Sequence, residues 1–141
     1  MLKRIQICCA LLPLIIVGAA AAERAEVKAC FELKSNAEQR DCAQHAYRVV
    51  SAKLEQVFQN ELARAAMQPG DGIKFGAIDP AKRVEAMNKS QSAWQAYRDA
   101  ECWGVVGSGG GTGTPTWAYV CLIEKVLQRI EELTVPIEKG R

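Results

Sequence analysis

The sequence predicts an all-α protein, a disulfide-stapled antiparallel bundle of three principal helices. Three stretches place apolar residues at spacings of three and four, which is the pattern of an amphipathic helix. Segments rich in glycine and proline separate them, and no stretch shows the strict apolar–polar alternation of a strand. Three such helices pack most simply in an up–down–up order.

Residues 1–22 have the layout of a secretory signal peptide. A positive start precedes a mostly apolar run over residues 5–17, and small residues follow it. The run is shorter than the roughly 20 residues of a membrane span. Cys8 and Cys9 lie near its start, whereas a lipid-modified cysteine follows such a run. We therefore expect one mature domain over residues 23–141, without a membrane span, in the periplasm or secreted.

The formal charge of +2 belongs to the signal segment. The chain has 18 Lys and Arg against 16 Asp and Glu, and Lys3 and Arg4 account for the difference. A neutral mature chain lacks the basic excess that holds a nucleic-acid backbone. We therefore expect no nucleic-acid partner.

Four cysteines remain beyond the signal segment, and an even number in an exported chain indicates two disulfides. Four cysteines allow three pairings. We favour Cys30–Cys42 and Cys102–Cys121, because each closes a short loop worth about 3 kcal/mol in the chain-entropy model. The bundle would place Cys42, Cys102 and Cys121 at one end, so geometry leaves the other pairings open. The gaps are too long for the knuckles of a zinc site, and we expect no metal.

The first predicted helix begins at a capping box formed by Ser35 and Glu38. It runs to about Met67, where a Pro-Gly stretch stops it. Its inward stripe consists of Ala43, Ala46, Val50, Leu54, Val57, Glu61 and Ala65, widened by Tyr47, Phe58 and Leu62. Before it, we expect residues 23–34 to form a short arm attached through its cysteine and Phe31.

The second predicted helix begins at Asp79, as N-cap, and Pro80, and it ends near Cys102. Its expected inner face consists of Val84, Met87, Gln91, Trp94 and Tyr97. The connector at residues 69–79 carries three apolar residues, and we expect it to pack against the body.

A glycine-rich loop over residues 103–114 has too much backbone freedom to stay helical. The third predicted helix follows it, from Thr114 to Pro136. Its inner side is expected to hold Trp117, Val120, Cys121, Leu127, Ile130 and Leu133.

Catalytic motifs are missing from the sequence. The glycine run at residues 107–113 lacks the Lys-Ser or Lys-Thr step of a phosphate-binding loop. Val106 stands where a nucleophile elbow around Ser108 would need glycine. His45 is the one histidine, and no serine is placed beside it. We therefore expect no catalytic residues, no cofactor and no enzymatic activity.

Trp94, Tyr97, Arg98 and Asp99 form the most distinctive cluster. Spacings of three and four put Trp94 on one helix face with Tyr97 and with Arg98. In one interpretation the aromatics fill the core and Arg98 pairs with a carboxylate of another helix to fix the register. In the other, Arg98 and an exposed aromatic residue bind a partner. The spacing leaves both open.

The order of motifs is more specific than any one of them. It reads Ser90-Gln91-x-x-Trp94-x-x-Tyr97-Arg98-Asp99-x-x-Cys102, glycines at 107–111, Cys121-Leu122 and Arg129-Ile130-x-x-Leu133. Together with Cys30, Cys42, Tyr47 and Leu54 it resembles the lysozyme inhibitor LprI N-terminal domain family, over residues 30–133. One departure is Ser51, which stands near the place where the family usually has an acidic residue.

The resemblance implies a lysozyme as partner. Lysozyme inhibitors commonly plug the sugar cleft with a loop, and by that analogy the 103–114 loop, with Ser108, Gly109 and Gly110, would be the inserting element. The alternative is an envelope interaction or small-ligand-binding module that uses the aromatic–Arg98 face.

Overall fold

The computed structural model describes residues 23–67 and 79–135, and all regular elements in these ranges are helical. We number the α-helices α1 (residues 23–30), α2 (Asn36–Met67), α3 (Pro80–Asp99) and α4 (Thr114–Thr134). A π-helical turn, Ala100–Val105, and a 3-10 turn, Val106–Ser108, continue from α3. The all-α bundle with three principal helices is confirmed. The predicted signal peptide and the connector lie outside the described residues.

The starts of α2 and α3 are the predicted ones. Ser35 and Glu38 form the capping box, in which the Glu38 amide donates to Ser35 Oγ at 3.2 Å and the Ser35 amide donates to Glu38 Oε2 at 3.0 Å. Asp79 caps α3 by accepting a hydrogen bond from the Ala81 amide at 2.8 Å. Local sequence therefore sets where both helices begin.

The hydrophobic core lies between α1, α2 and α4. It consists of Val27, Val50, Leu54, Ile123, Val126, Leu127 and Ile130. Of the stripe predicted for α2, Val50 and Leu54 belong to this core, and Ala46, Tyr47 and Val57 pack against it. The arm predicted for residues 23–34 is helical in its first part, because Val27 enters the core while Glu23 pairs with Lys53 at 2.9 Å. An ion pair from Arg24 to Glu124, 3.1 Å, ties α1 to α4 as well.

α3 packs far less deeply than α2 and α4. Gln91 is its one fully buried residue, and Trp94 is half-buried against the core. Tyr97, predicted to face inward, is 52 % exposed. Three residues beyond Trp94 correspond to a rotation of about 300°, which carries Tyr97 onto the flank of the helix. α3 is therefore held by a narrow set of contacts.

Both disulfides have the predicted pairing. Cys30 bonds Cys42 and Cys102 bonds Cys121, with Cα atoms 5.6 and 5.4 Å apart respectively. The α-helix ends at Asp99, close to the predicted end near Cys102. The π-helical and 3-10 turns continue the winding to Ser108, so the first part of the predicted 103–114 loop is helical instead. It is stabilised by close packing at Gly107, where an added Cβ would lie 3.6 Å from Cβ of Ala118 on α4. None of the helices described has an apolar stretch long enough to span a bilayer.

Candidate functional site

Arg98 is largely buried among aromatic rings. Its side chain is 12 % exposed, and its guanidinium carbon lies 5.1 Å from the Trp94 ring centroid and 5.9 Å from that of Tyr47. Arg98 Nη2 lies 2.7 Å from the carboxylate of the neighbouring Asp99. The expected carboxylate from another helix is thus wrong. Ser51, one turn after Tyr47 on α2, carries no charge that could attract the guanidinium.

Arg129 of α4 extends the same cluster. Its guanidinium carbon lies 5.8 Å from the Trp94 centroid, and it donates to Gln91 Oε1 and to Ser90 Oγ, both at 3.2 Å. Arg129 also forms an ion pair with Glu132, in which Nη1 lies 3.0 Å from Oε2. Cation–π contacts and hydrogen bonds therefore fix α3 against the other helices. Trp94 and Arg98 take part in these contacts.

Tyr97 lies on the open flank of α3, with its hydroxyl accepting a hydrogen bond from Lys125 Nζ at 2.7 Å. This hydrogen bond is the main reason why the pKa of Lys125 is raised above its ordinary value. The Tyr97 and Glu101 charges add to the increase, and desolvation opposes it. The contact joins α3 to α4 on the surface.

The glycine loop is ordered by hydrogen bonds at its base. Ser108 Oγ donates to the Val105 carbonyl at 2.8 Å, and Thr114 Oγ1 donates to the Gly110 carbonyl at 2.6 Å. Asn36 Nδ2, at the start of α2, donates to Thr112 Oγ1 at 2.6 Å. The positive φ angles of +69° at Gly110 and +96° at Gly111 require glycine. The loop is therefore an exposed, braced ridge.

Two tryptophans lie exposed beside this loop. Trp103, 43 % exposed, lies against Gly107 at the loop base and packs edge-on to Tyr119, 5.2 Å between centroids. Trp117, 56 % exposed, lies in the first turn of α4 and packs on Phe31 at 4.8 Å. Trp103, Val105, Val106 and Trp117 are exposed on the elements that flank the loop at residues 109–113. We call this set of uncharged residues, together with the loop, the uncharged end.

Sequence reasoning missed this surface. It assigned Trp103 to the glycine-rich loop without a role of its own. It also expected Trp117 on the inner side of α4, which is wrong because Trp117 is exposed. A signal was available, because no charged residue stands between Glu101 and Glu124. A long charge-free run that includes exposed aromatics is typical of the centre of an interface.

The remaining candidates bring no reactive cluster together. His45 is exposed on α2. Within residues 23–67 and 79–135, no three His, Cys, Asp or Glu side chains converge to hold a metal ion. Contact with a partner stays a prediction for all the proposed binding residues, which are Trp94, Tyr97, Arg98, Asp99, Ser108, Gly109 and Gly110.

Comparison with known proteins gives one family and one relative. A family model described as lysozyme inhibitor LprI matches residues 20–133. An uncharacterised protein of Rhizobium meliloti (strain 1021) is 34 % identical over 115 residues, which is 79 % of this chain and 80 % of the relative. No solved structure matches the chain significantly.

Proposed function

The chain belongs to the lysozyme inhibitor LprI family, and from that premise we propose that it is a non-enzymatic protein of the periplasm or medium that binds and inhibits a lysozyme. The two disulfides support a place outside the cytoplasm, because thiols in the cytoplasm are kept reduced. The signal-like layout of residues 1–22 points the same way.

The loop at residues 109–113 is the element that we propose to enter the cleft of the enzyme. Lysozyme cleaves its glycan between two carboxyl groups, so a blocking element has to be narrow and free of negative charge. Gly109, Gly110 and Gly111 bring no side chains, and the loop carries no charge. Its exposed backbone amides are hydrogen-bond donors of the kind that carboxylates accept.

The observation that carries this proposal is the bracing of the loop. A flexible glycine run would lose much conformational entropy on binding, and that loss would weaken the complex. Here the Thr114 hydroxyl donates a hydrogen bond to the Gly110 carbonyl, and the Asn36 side chain donates one to the Thr112 hydroxyl. The ridge is therefore shaped before a partner arrives.

The test is the rate of cell-wall hydrolysis by lysozymes of several types, with and without the oxidised chain from residue 23 onward. We expect slower hydrolysis that is relieved by excess glycan substrate. Gly109→Tyr widens the ridge at a position where an added Cβ meets nothing closer than 3.9 Å, so it should fold and lose inhibition. Ala66→Tyr, an exposed position at the far end of α2, is the matched control.

Full lysozyme activity in a large molar excess of the protein, for every type tried, would overturn the proposal. Equal inhibition by Gly109→Tyr and Ala66→Tyr would leave inhibition standing and exclude loop insertion.

One observation favours the alternative of a small-ligand module. A cavity of about 320 Å³ opens between the helices and is lined by Phe58, Arg83, Ala86, Met87, Ser90, Arg129 and Leu133. Its lining is mostly apolar, which suits the hydrocarbon part of a small ligand. Saturable binding of a fluorescent fatty-acid analogue, abolished by Ala86→Trp, together with no effect on any lysozyme, would establish this function instead.

A further inference from the structure

The uncharged end stands out from the rest of the surface in its composition. Charged residues make up 24 % of the chain, yet none lies between Glu101 and Glu124. This run supplies the last four residues of the π-helical turn, the 3-10 turn, the glycine loop and the first turns of α4. The centres of protein interfaces are depleted in charge and enriched in Trp and Tyr. The run therefore has the composition of a binding surface.

Exposed apolar groups that lie together on a surface mark interaction sites. Trp94 is half-buried against the core, whereas Trp103 and Trp117 keep 43 % and 56 % of their surface in solvent. Each exposed ring is supported from one side, Trp103 by Tyr119 and Trp117 by Phe31. A supported ring loses little side-chain entropy on binding, which suits an anchor residue.

We propose that Trp103 and Trp117 are the anchors by which the uncharged end holds a lysozyme. The inference rests on the proposed function and adds to it the residues that supply the affinity. Both tryptophans adjoin the inserting loop, Trp103 at its base and Trp117 in the helix that it leads into. They pack on the walls of the cleft while the glycine ridge occupies it.

The mode of binding follows from the absence of charged side chains between Glu101 and Glu124. Side chains without charge form no ion pairs with a lysozyme. The complex is then held by apolar and aromatic burial, not by electrostatic attraction. Its affinity should change less than about threefold between about 50 mM and about 500 mM NaCl, because salt screens charges only.

The first experiment measures binding of the oxidised chain to an immobilised lysozyme. We expect Trp103→Ala and Trp117→Ala each to weaken binding by at least about tenfold. Met67→Ala is the control, since Met67 is 75 % exposed at the opposite end of α2. If the wild type binds but both tryptophan variants bind equally well, the anchor assignment falls and the inhibitor proposal survives. If the wild type binds no lysozyme, both fall.

A second measurement separates a lost contact from a lost fold. In the wild-type chain labelled with 5-fluorotryptophan, the ¹⁹F spectrum gives one signal for each of the three tryptophans. Addition of lysozyme should shift the signals of Trp103 and Trp117 and leave that of Trp94 in place. A shift of the Trp94 signal alone would overturn the assignment, as would affinity that falls more than about tenfold over the same salt range. If the wild-type chain self-associates and the tryptophan variants lose this self-association while they still bind lysozyme, the surface binds a second copy of the chain instead.

Discussion

The guanidinium carbon of Arg98 lies 5.1 Å from the centroid of the Trp94 ring, one helical turn earlier on α3. The same group reaches Tyr47 on α2, and Arg129 of α4 approaches the same Trp94 ring. Since Gln91 is the one fully buried residue of α3, this cation–aromatic cluster is the main link between α3 and the rest of the bundle.

Arg98→Ala should therefore lower the free energy of unfolding by about 1–2 kcal/mol, the scale of desolvated cation–π contacts. Arg98→Lys should cost less, because it keeps the charge but loses the planar stacking. Urea unfolding followed by circular dichroism measures both. Arg64→Ala is the control, since its ion pair with Glu61 is on the surface and should be worth less than about 1 kcal/mol. Equal losses for Arg98→Ala and Arg64→Ala would contradict the proposed link.

The glycine-rich segment gives a second prediction, in which two glycine-to-alanine substitutions change the stability of the protein in opposite directions. Gly111 has a φ of +96°, so Gly111→Ala should destabilise the protein by about 1–2 kcal/mol. Gly104 lies in the π-helical turn with open space around it, so Gly104→Ala should stabilise by about 0.4–1 kcal/mol through the unfolded chain. Thermal unfolding of both variants measures the difference. Destabilisation of the same size in both would mean that the loop is not held in its left-handed turn.

The features that the sequence predicts correctly are those fixed by near neighbours. The capping box of Ser35 and Glu38 spans three residues, and the disulfides close loops with separations of 12 and 19. α1 was missed because residues 23–30 contain one large apolar side chain, Val27, so no periodic pattern exists. Its helix depends on contacts with α2 and α4 that are distant in sequence.

The orientation of the aromatic residues depends on small residues that hydrophobicity does not highlight. Ala118 is fully buried on α4, in the neighbourhood of Gly107. Trp117, the preceding residue, is then turned outward, and a count of large apolar residues predicts the reverse. Arg98 likewise forms its ion pair with Asp99, the next residue in the chain. This pairing depends on the rotamer of the Arg98 side chain, which the spacing of residues on a helix does not predict.

Thr114 and Thr116 give a third prediction with its own internal control. The Oγ1 atom of Thr116 is buried and has no hydrogen-bond partner among the described residues, whereas Oγ1 of Thr114 donates to Gly110. Thr116→Val should raise the free energy of unfolding by about 1 kcal/mol, since it removes an unpaired polar group. Thr114→Val should lower it by about 1 kcal/mol. Chemical denaturation measures both changes in unfolding free energy. A loss of stability in Thr116→Val would show that the Thr116 hydroxyl forms a hydrogen bond in solution.

The Lys125–Tyr97 contact gives a prediction about pH. The hydrogen bond from Lys125 Nζ to the Tyr97 hydroxyl raises the lysine pKa above its ordinary value of 10.5. A group whose pKa is raised by folding contributes stability that is fully present below the unfolded pKa and is lost as pH rises through the folded one. The contribution should thus be constant across neutral pH and disappear only above the ordinary pKa of lysine.

Tyr97→Phe tests this directly, because it removes the oxygen that accepts the hydrogen bond and keeps the ring. NMR titration of the Lys125 side chain should give a lower pKa in the variant than in the wild type. The difference in unfolding free energy between the two should not change between about pH 6 and about pH 9, where lysine is protonated in both states. A stability difference that varies within that range, or a Lys125 pKa that Tyr97→Phe leaves unchanged, would mean that the hydrogen bond does not hold α3 to α4 as described.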